Sequence, residues 1–291
     1  MKILRHVASL LVFGALFASA QATVVYSNSP LGDNFTNPGT TLTGQAVGTS
    51  GWYYNNVRNN GVVGINGTYP RNGNGSVYFK SSQGGSTSSK ADIEFFGSAV
   101  QNNSGNWSPT SSLGKLKDLS HLSYDWYRDS QSTVQSHFHP VIRLLVAGMN
   151  NNAFVSGYLV FERAYNPSVS PVPTDQWVSE SIVGTTNLWS TGSLPFAFNK
   201  YDYTLSDWQT NYGDLDVVGV SLGVGSGWGP NAGDIFVGAV DNVRFGFTNG
   251  PSYDFNFEVA AVTEPVPEPF TMGLVAAGLA AGLRRRRRAQ S

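Results

Sequence analysis

Apolar and polar residues alternate with a period of two along much of this chain. Val218, Val220, Leu222 and Val224 alternate with Gly and Ser. Val237, Ala239, Val243, Phe245 and Phe247 alternate with Gly238, Asn242, Arg244 and Gly246, and Ala91, Ile93 and Phe95 with Asp92, Glu94 and Phe96. Side chains at i and i+2 share one face of a strand, so each segment predicts a half-buried strand. Residues 76–80, 122–128, 141–147, 157–163 and 177–182 predict further strands, separated by Asn-Gly, Ser-Gly and proline-rich turns. Only 112–119 and 205–212 offer room for short helices. Many short strands, 33 glycines and hardly a helix predict an all-β fold, an antiparallel β-sandwich of the jelly-roll kind. A β-helix would need a fixed-period repeat, and the sequence has none.

Between residues 55 and 89, Asn-Gly occurs at Asn60-Gly61, Asn66-Gly67 and Asn72-Gly73. Such pairs supply the positive φ angles of tight hairpins. The apolar content of Val62, Val63, Ile65, Tyr69, Val77 and Phe79 favours hairpins over a flexible linker.

The two ends break the pattern. Lys2, Arg5 and His6 precede an apolar run from Val7 to Phe17, and Ala18-Ser19-Ala20 or Ala20-Gln21-Ala22 supplies small residues for cleavage. Residues 1–22 therefore predict a secretory signal peptide, and with it export through signal peptidase. At the other end Val266-Pro267-Glu268-Pro269 is followed by 14 uncharged residues, Phe270 to Leu283, and then by Arg284, Arg285, Arg286, Arg287 and Arg288. As a helix those 14 residues reach about 21 Å. A bilayer core is about 30 Å thick, so the transmembrane helix predicted here must lean on its flanks. The arginines can snorkel to lipid phosphates and mark the cytoplasmic side of the inner membrane. Gly278 and Gly282 have the spacing that permits close helix approach. An ordinary tail anchor with a proline linker is the plainer alternative. Setting both ends aside leaves residues 23–263 as one domain and 264–291 as the tail.

Pro267, Glu268 and Pro269, the apolar span and the arginine run, in that order, resemble the PEP-CTERM sorting signal of Gram-negative bacteria. The resemblance covers only the tail. It implies that an exosortase, a membrane-embedded cysteine transpeptidase, cuts near Val266 to Pro269. It also implies a destination at the cell surface or in the extracellular matrix, in the company of exopolysaccharide and biofilm.

Charge and composition narrow the remaining functions. The whole chain carries a formal charge of −1, but residues 23–263 hold 11 Lys and Arg against 17 Asp and Glu, a net of −6. That balance argues against a nucleic-acid partner, which draws on clustered cations. With no cysteine, disulfides, thiolate metal sites and thiol nucleophiles are excluded, and stability must come from the core.

Candidate chemistry is sparse. Gly219-Val220-Ser221-Leu222-Gly223 matches the G-x-S-x-G of a nucleophile elbow, yet strand alternation runs straight through Ser221 where the elbow needs a turn into a helix. Gly223 to Gly227 is glycine-rich but lacks the Lys-Ser/Thr of a phosphate loop, and reads as a turn. His137 and His139, two apart on an expected strand, share a face as metal ligands can, with His121, Asp125 or Asp129 as further donors; a solvent-facing pair is the alternative. Asp241, if 235–247 is one unbroken strand, sits on the face of Val237, Ala239, Val243 and Phe245 and needs a partner. A structural calcium with Asp234 or Asp33 would answer that need, since Asp241-Asn242 is similar to an Asp-Asn pair in jelly-roll carbohydrate-binding modules. A bulge, or pairing with Arg143 or Arg244, would answer it too. Trp126, Trp177 and Trp208 read as core, whereas Trp228, in a glycine-rich loop, and the cluster Trp52, Tyr53 and Tyr54 are candidate sugar-stacking residues. Asp92 and Glu94 share a face and are the pair a glycoside hydrolase would use, without an evident cleft. The sequence thus predicts an exported, non-catalytic envelope or matrix protein, with a carbohydrate-binding module and a glycoside hydrolase as alternatives.

Overall fold

Strand formation follows the alternating segments. The computed structural model describes residues 21–81, 89–169, 171–194, 201–225 and 233–262. In chain order the strands are β1 (Thr23–Tyr26), β2 (Phe35–Thr36), β3 (Thr43–Ala46), β4 (Trp52–Arg58), β5 (Val62–Asn66) and β6 (Ser76–Lys80). They continue as β7 (Lys90–Phe95), β8 (Ala99–Gln101), β9 (Trp107–Pro109), β10 (Gly114–Lys115), β11 (Leu119–Arg128) and β12 (Val141–Asn150). The rest are β13 (Ala153–Phe161), β14 (Trp177–Ser181), β15 (Leu188–Ser190), β16 (Asp216–Val224), β17 (Val237–Phe247) and β18 (Ser252–Glu258).

Two large sheets result. In the first, β14, β11 and β17 run side by side, and the far edge of β17 is shared by β6 with β5 and β2, and by β18 with β1. Its pairs are antiparallel except β1 with β18. The second sheet has the order β15-β13-β12-β16-β7-β4-β3, antiparallel throughout, with β10 beside β16 and a separate β8–β9 hairpin. Inward side chains of both sheets form one core. Trp52 of the second sheet meets Phe255 and Phe257 of the first at centroid distances of 5.2 and 5.1 Å, and Phe95 meets Phe245 at 5.7 Å. Large aromatic rings fill the gap between sheets at the usual sandwich spacing. The expected all-β, antiparallel sandwich is therefore present.

The helix expected near 205–212 is α1 (Leu205–Tyr212), capped by Thr204 in a capping box with Asp207, with Leu205 and Trp208 buried beneath it. The stretch 112–119 is not a helix beyond a 3-10 turn at Leu116–Asp118. Gly114 pairs with β16 there, and its backbone lies so close to the Phe247 ring that a Cβ would come within 2.5 Å of it. Left-handed turns fall on asparagines, Asn59-Asn60 and Asn151-Asn152, the second pair closing the β12–β13 hairpin. Neither Asn66-Gly67 nor Asn72-Gly73 makes a two-residue turn: Asn66 ends β5, and Gly67 and Asn72-Gly73 belong to the long 67–75 connection between β5 and β6.

The chain divides into units Met1–Val259 and Ala260–Ser291. Of the second only 260–262 is described. The expected leader up to residue 20, the Val266–Pro269 motif, the apolar span and the arginine run lie outside the described residues. Among the described residues no helix is long and apolar enough to cross a membrane.

Candidate functional site

The outer face of the second sheet carries an ordered row of side chains. Cross-strand registers join Tyr53 to Glu94, Glu94 to Ser221, Ser221 to Arg143, Arg143 to Val160, and Val160 to Trp189. Opposed residues project from the same face, and neighbouring strands are about 4.8 Å apart, so the row spans about 24 Å. It runs from one aromatic ring, through a carboxylate, a hydroxyl and a guanidinium, to another.

Its centre is a closed polar network. Asp92 accepts from Arg143 Nη1 at 2.8 Å and from Asn56 Nδ2 at 3.0 Å, and pairs with Lys90 Nζ at 3.0 Å. Arg143 Nη1 also donates to Ser221 Oγ at 3.2 Å. Glu94 accepts from Tyr158 Oη at 2.8 Å and from Asn55 Nδ2 at 2.6 Å. Burial opposes the ionised form of Asp92, but Lys90 and Arg143 outweigh it and hold its pKa below the ordinary value. For Glu94 burial, and then the neighbouring Asp92 charge, push the pKa up. Asp92 is 0% exposed and Glu94 1%, so the pair that a hydrolase would use lies under other side chains.

Beside this network, toward β15, lies a cavity of about 560 Å³. Lys90, Arg143, Tyr158, His137, Glu162 and Trp189 line it, together with Tyr165 and Tyr201. Tyr165 and Tyr201 stack at 4.0 Å, and Trp189 meets Tyr201 edge-on at 6.2 Å, which makes an aromatic wall. Burial pushes the Glu162 carboxyl up to about 7, partly offset by the Arg143 charge. A second cavity of about 440 Å³ on the same face is mostly apolar, lined by Leu145, Ala147, Phe154 and Val218 among others.

The residues expected from sequence fall differently. Trp52 is fully buried against Phe255 and Phe257, so it is core and not a stacking platform. Its neighbour Tyr53 does face outward, packed between Phe96 at 5.6 Å and Trp107 at 4.5 Å. Trp228 lies outside the described residues. Ser221 sits mid-strand in β16, as the alternation requires, and is no nucleophile elbow. His137 and His139 are in a loop and part company: His137 lines the cavity, while His139 is buried against Trp126 at 4.8 Å. Trp126 and Trp208 are core, and Trp177 is half-buried on the edge strand β14 beneath Arg71.

Asp241 is fully buried but not on the core face. Asn242 adopts φ 50° in a bulge, so that Ser123 and Asp125 of β11 pair with Arg244 and Asp241, across an extra residue of β17. The bulge keeps Val240 and Val243 in the core and turns Asp241 outward beside Asp125. Arg143 and Arg244 are engaged elsewhere, with Asp92 and Asp254. Asp241 Oδ1 accepts from the backbone N–H groups of Asn242 at 2.8 Å and Phe257 at 3.0 Å, and Oδ2 has no partner among the described residues. Burial is the main reason its pKa is pushed up to about 7, with Glu258 and Asp125 adding to it. The calcium set expected with it is not assembled. Asp33 is taken by the backbone N–H groups of Asn28 and Ser29 and by the Tyr54 hydroxyl. Among the described residues no three His, Asp or Glu side chains gather as a metal-binding group.

Sequence reasoning missed Tyr158, Glu162 and Trp189, and offered Arg143 only as a partner for Asp241 when it pairs with Asp92. One signal was available: Arg143 interrupts the apolar run Val141-Ile142-Arg143-Leu144-Leu145, and a charge there must find a buried partner.

No family profile matches the chain, and no curated protein does. Among solved structures, the cellulose-induced protein Cip1 superposes with a TM-score of 0.33 at 15% identity, over 70% of this chain and 88% of its own. CBM28, a carbohydrate-binding module specific for non-crystalline cellulose, superposes with a TM-score of 0.29 at 13% identity, over 70% of this chain and 86% of its own. Likenesses this distant carry no argument about what this chain binds.

Proposed function

We propose that this is an exported envelope or matrix protein whose sandwich binds a polysaccharide along the outer face of the second sheet, without catalysis. The observation that carries the binding role is the row from Tyr53 to Trp189 with its cavity: aromatic rings toward both ends and fixed polar groups between them. Sugars are held by ring faces against apolar C–H surfaces and by a few placed hydrogen-bonding groups. Retention of the protein on immobilised glycans tests this. Trp189→Ala and Tyr201→Ala are expected to weaken retention about tenfold each, roughly the loss of one good aromatic contact, while the melting temperature stays within a few degrees. Unchanged retention in both variants would remove the site.

The sorting half rests on the tail residues Val266 to Pro269 and Arg284 to Arg288. On this reading signal peptidase removes the leader, the apolar span holds the precursor in the inner membrane, and an exosortase cuts at the motif, leaving the product at the cell surface or in the matrix. Mass spectrometry of the protein from its own bacterium should find a C-terminus near Pro269. An intact arginine tail on the mature product would refute processing.

A hydrolytic reading has one observation in its favour, the Glu162 carboxyl raised toward neutrality on the cavity wall. It predicts reducing ends released from a polysaccharide by the parent and not by Glu162→Gln.

A further inference from the structure

The cavity floor is built around a cation. Arg143 is 7% exposed, and its Nη1 is committed to Asp92 and Ser221, but no described residue pairs with Nη2. Position 225 is glycine; a Cβ there would stand 3.6 Å from Nη2, so the lack of a side chain leaves the approach to that nitrogen open. Lys90, whose Nζ lies 5.8 Å from the Tyr158 ring centroid, shares the same carboxylate, Asp92. Two cations therefore meet one ionised acid.

The other acids do not cancel the excess. Glu94 turns its two oxygens to Tyr158 and Asn55 and forms no ion pair with Arg143 or Lys90. Glu162, the one carboxylate among the described lining residues, makes no ion pair with Arg143, and its raised pKa lets it offset Arg143 only in part near neutral pH. A neutral sugar would leave Nη2 without an anion to accept its hydrogen bond.

Building on the saccharide-binding reading, we propose that the cavity takes an acidic sugar, its anionic substituent on Arg143 Nη2 and its ring against the Trp189–Tyr201 wall. Carboxylate and sulfate share the chemistry of an oxyanion on a guanidinium.

Affinity electrophoresis of the protein purified from its bacterium, in gels containing single polymers, separates the possibilities. The probes are polygalacturonate, the same polymer after carboxyl reduction, a sulfated galactan, and a panel of neutral glucans and mannans. Retention is expected to be at least tenfold stronger for an acidic polymer than for the reduced one, and to fall as sodium chloride rises from 50 to 500 mM. Gly225→Asp places a competing carboxylate beside Nη2 and leaves the Arg143–Asp92 pair intact. It is expected to abolish the preference for acid with an unchanged melting temperature, whereas Gly225→Ser is expected to keep it. Preference for the sulfated galactan alone assigns the anion as sulfate. Equal retention on polygalacturonate, its reduced form and the sulfated polymer overturns the acidic ligand while leaving saccharide binding standing. Failure on every polymer, acidic and neutral, overturns both.

Discussion

Arg143 Nη1 lies 2.8 Å from Asp92 Oδ1 although β16 runs between their strands. The contact depends on Gly223, which sits between Asp92 and Val141 in the register; a Cβ there would fall 2.4 Å from Asp92 Oδ1.

Gly223→Ala should therefore break a buried ion pair by sterics alone. The expected cost is about 3 kcal/mol, read as a melting temperature lower by roughly 6–12 °C. Gly225→Ala, whose Cβ would meet only ordinary contact at 3.6 Å from Arg143, should change stability by less than about 0.5 kcal/mol. Equal effects of the two changes would contradict the crossing described above.

Asp241 should make the fold less stable as pH rises. Its folded pKa, about 7, stands above the unfolded value of 3.8, so the folded state holds the proton more tightly. The stabilisation is complete below about pH 4 and disappears as pH climbs through 7, on the order of 4 kcal/mol in all. Asp241→Asn should flatten this limb in urea melts at pH 5, 6, 7 and 8. The same melts with EDTA and with calcium distinguish a proton from a cation: a chelator-sensitive midpoint would reassign the group to metal binding.

His139 should resist protonation. Its Nε2 accepts from the Arg163 backbone N–H at 3.1 Å, so the proton sits on Nδ1, which faces the Pro140 carbonyl at 2.8 Å. Burial lowers its pKa to about 3. Stability from this group is present above about pH 6.5 and is lost as pH falls through 3, opposite in sign to Asp241. Nitrogen-15 NMR of the imidazole should show the neutral Nδ1–H form still dominant at pH 5; a charged ring there would refute the burial argument.

Trp52 and Trp189 should separate stability from binding. Trp52→Ala removes a ring wedged between Phe95, Phe255 and Phe257, and is expected to cost about 3–5 kcal/mol. Trp189→Ala touches the cavity wall and should weaken glycan retention instead. A cooperative melt unchanged in Trp52→Ala would show that the residue is not core.

Much of the strand plan was legible beforehand. Residues 76–80 and Val237–Phe247 are strands with the limits that alternation gives them, and α1 lies in one of the two stretches expected to hold a short helix, while the other, 112–119, keeps only a 3-10 turn. The face of a strand was harder to read. In Trp52-Tyr53-Tyr54 period two says that Tyr53 opposes its neighbours, but not which side is inside; the partner sheet decides that. For Asp241 the alternation itself misled, because one left-handed residue, Asn242, reverses the side on which everything before it projects.

The sequence by itself determined an all-β domain with few charges and no thiol chemistry, because strand periodicity and composition are local properties that each segment carries alone. It also carried the apolar and charged runs at both ends on which the proposal of export and sorting rests. Only the tertiary structure decided that Tyr53, Glu94, Ser221, Arg143 and Trp189, spread over five strands, stand in one row, and that Arg143 and Lys90 meet at Asp92. Cross-strand register brings such residues together, and register depends on which strands pair, a choice made by packing the whole core and not by any one segment.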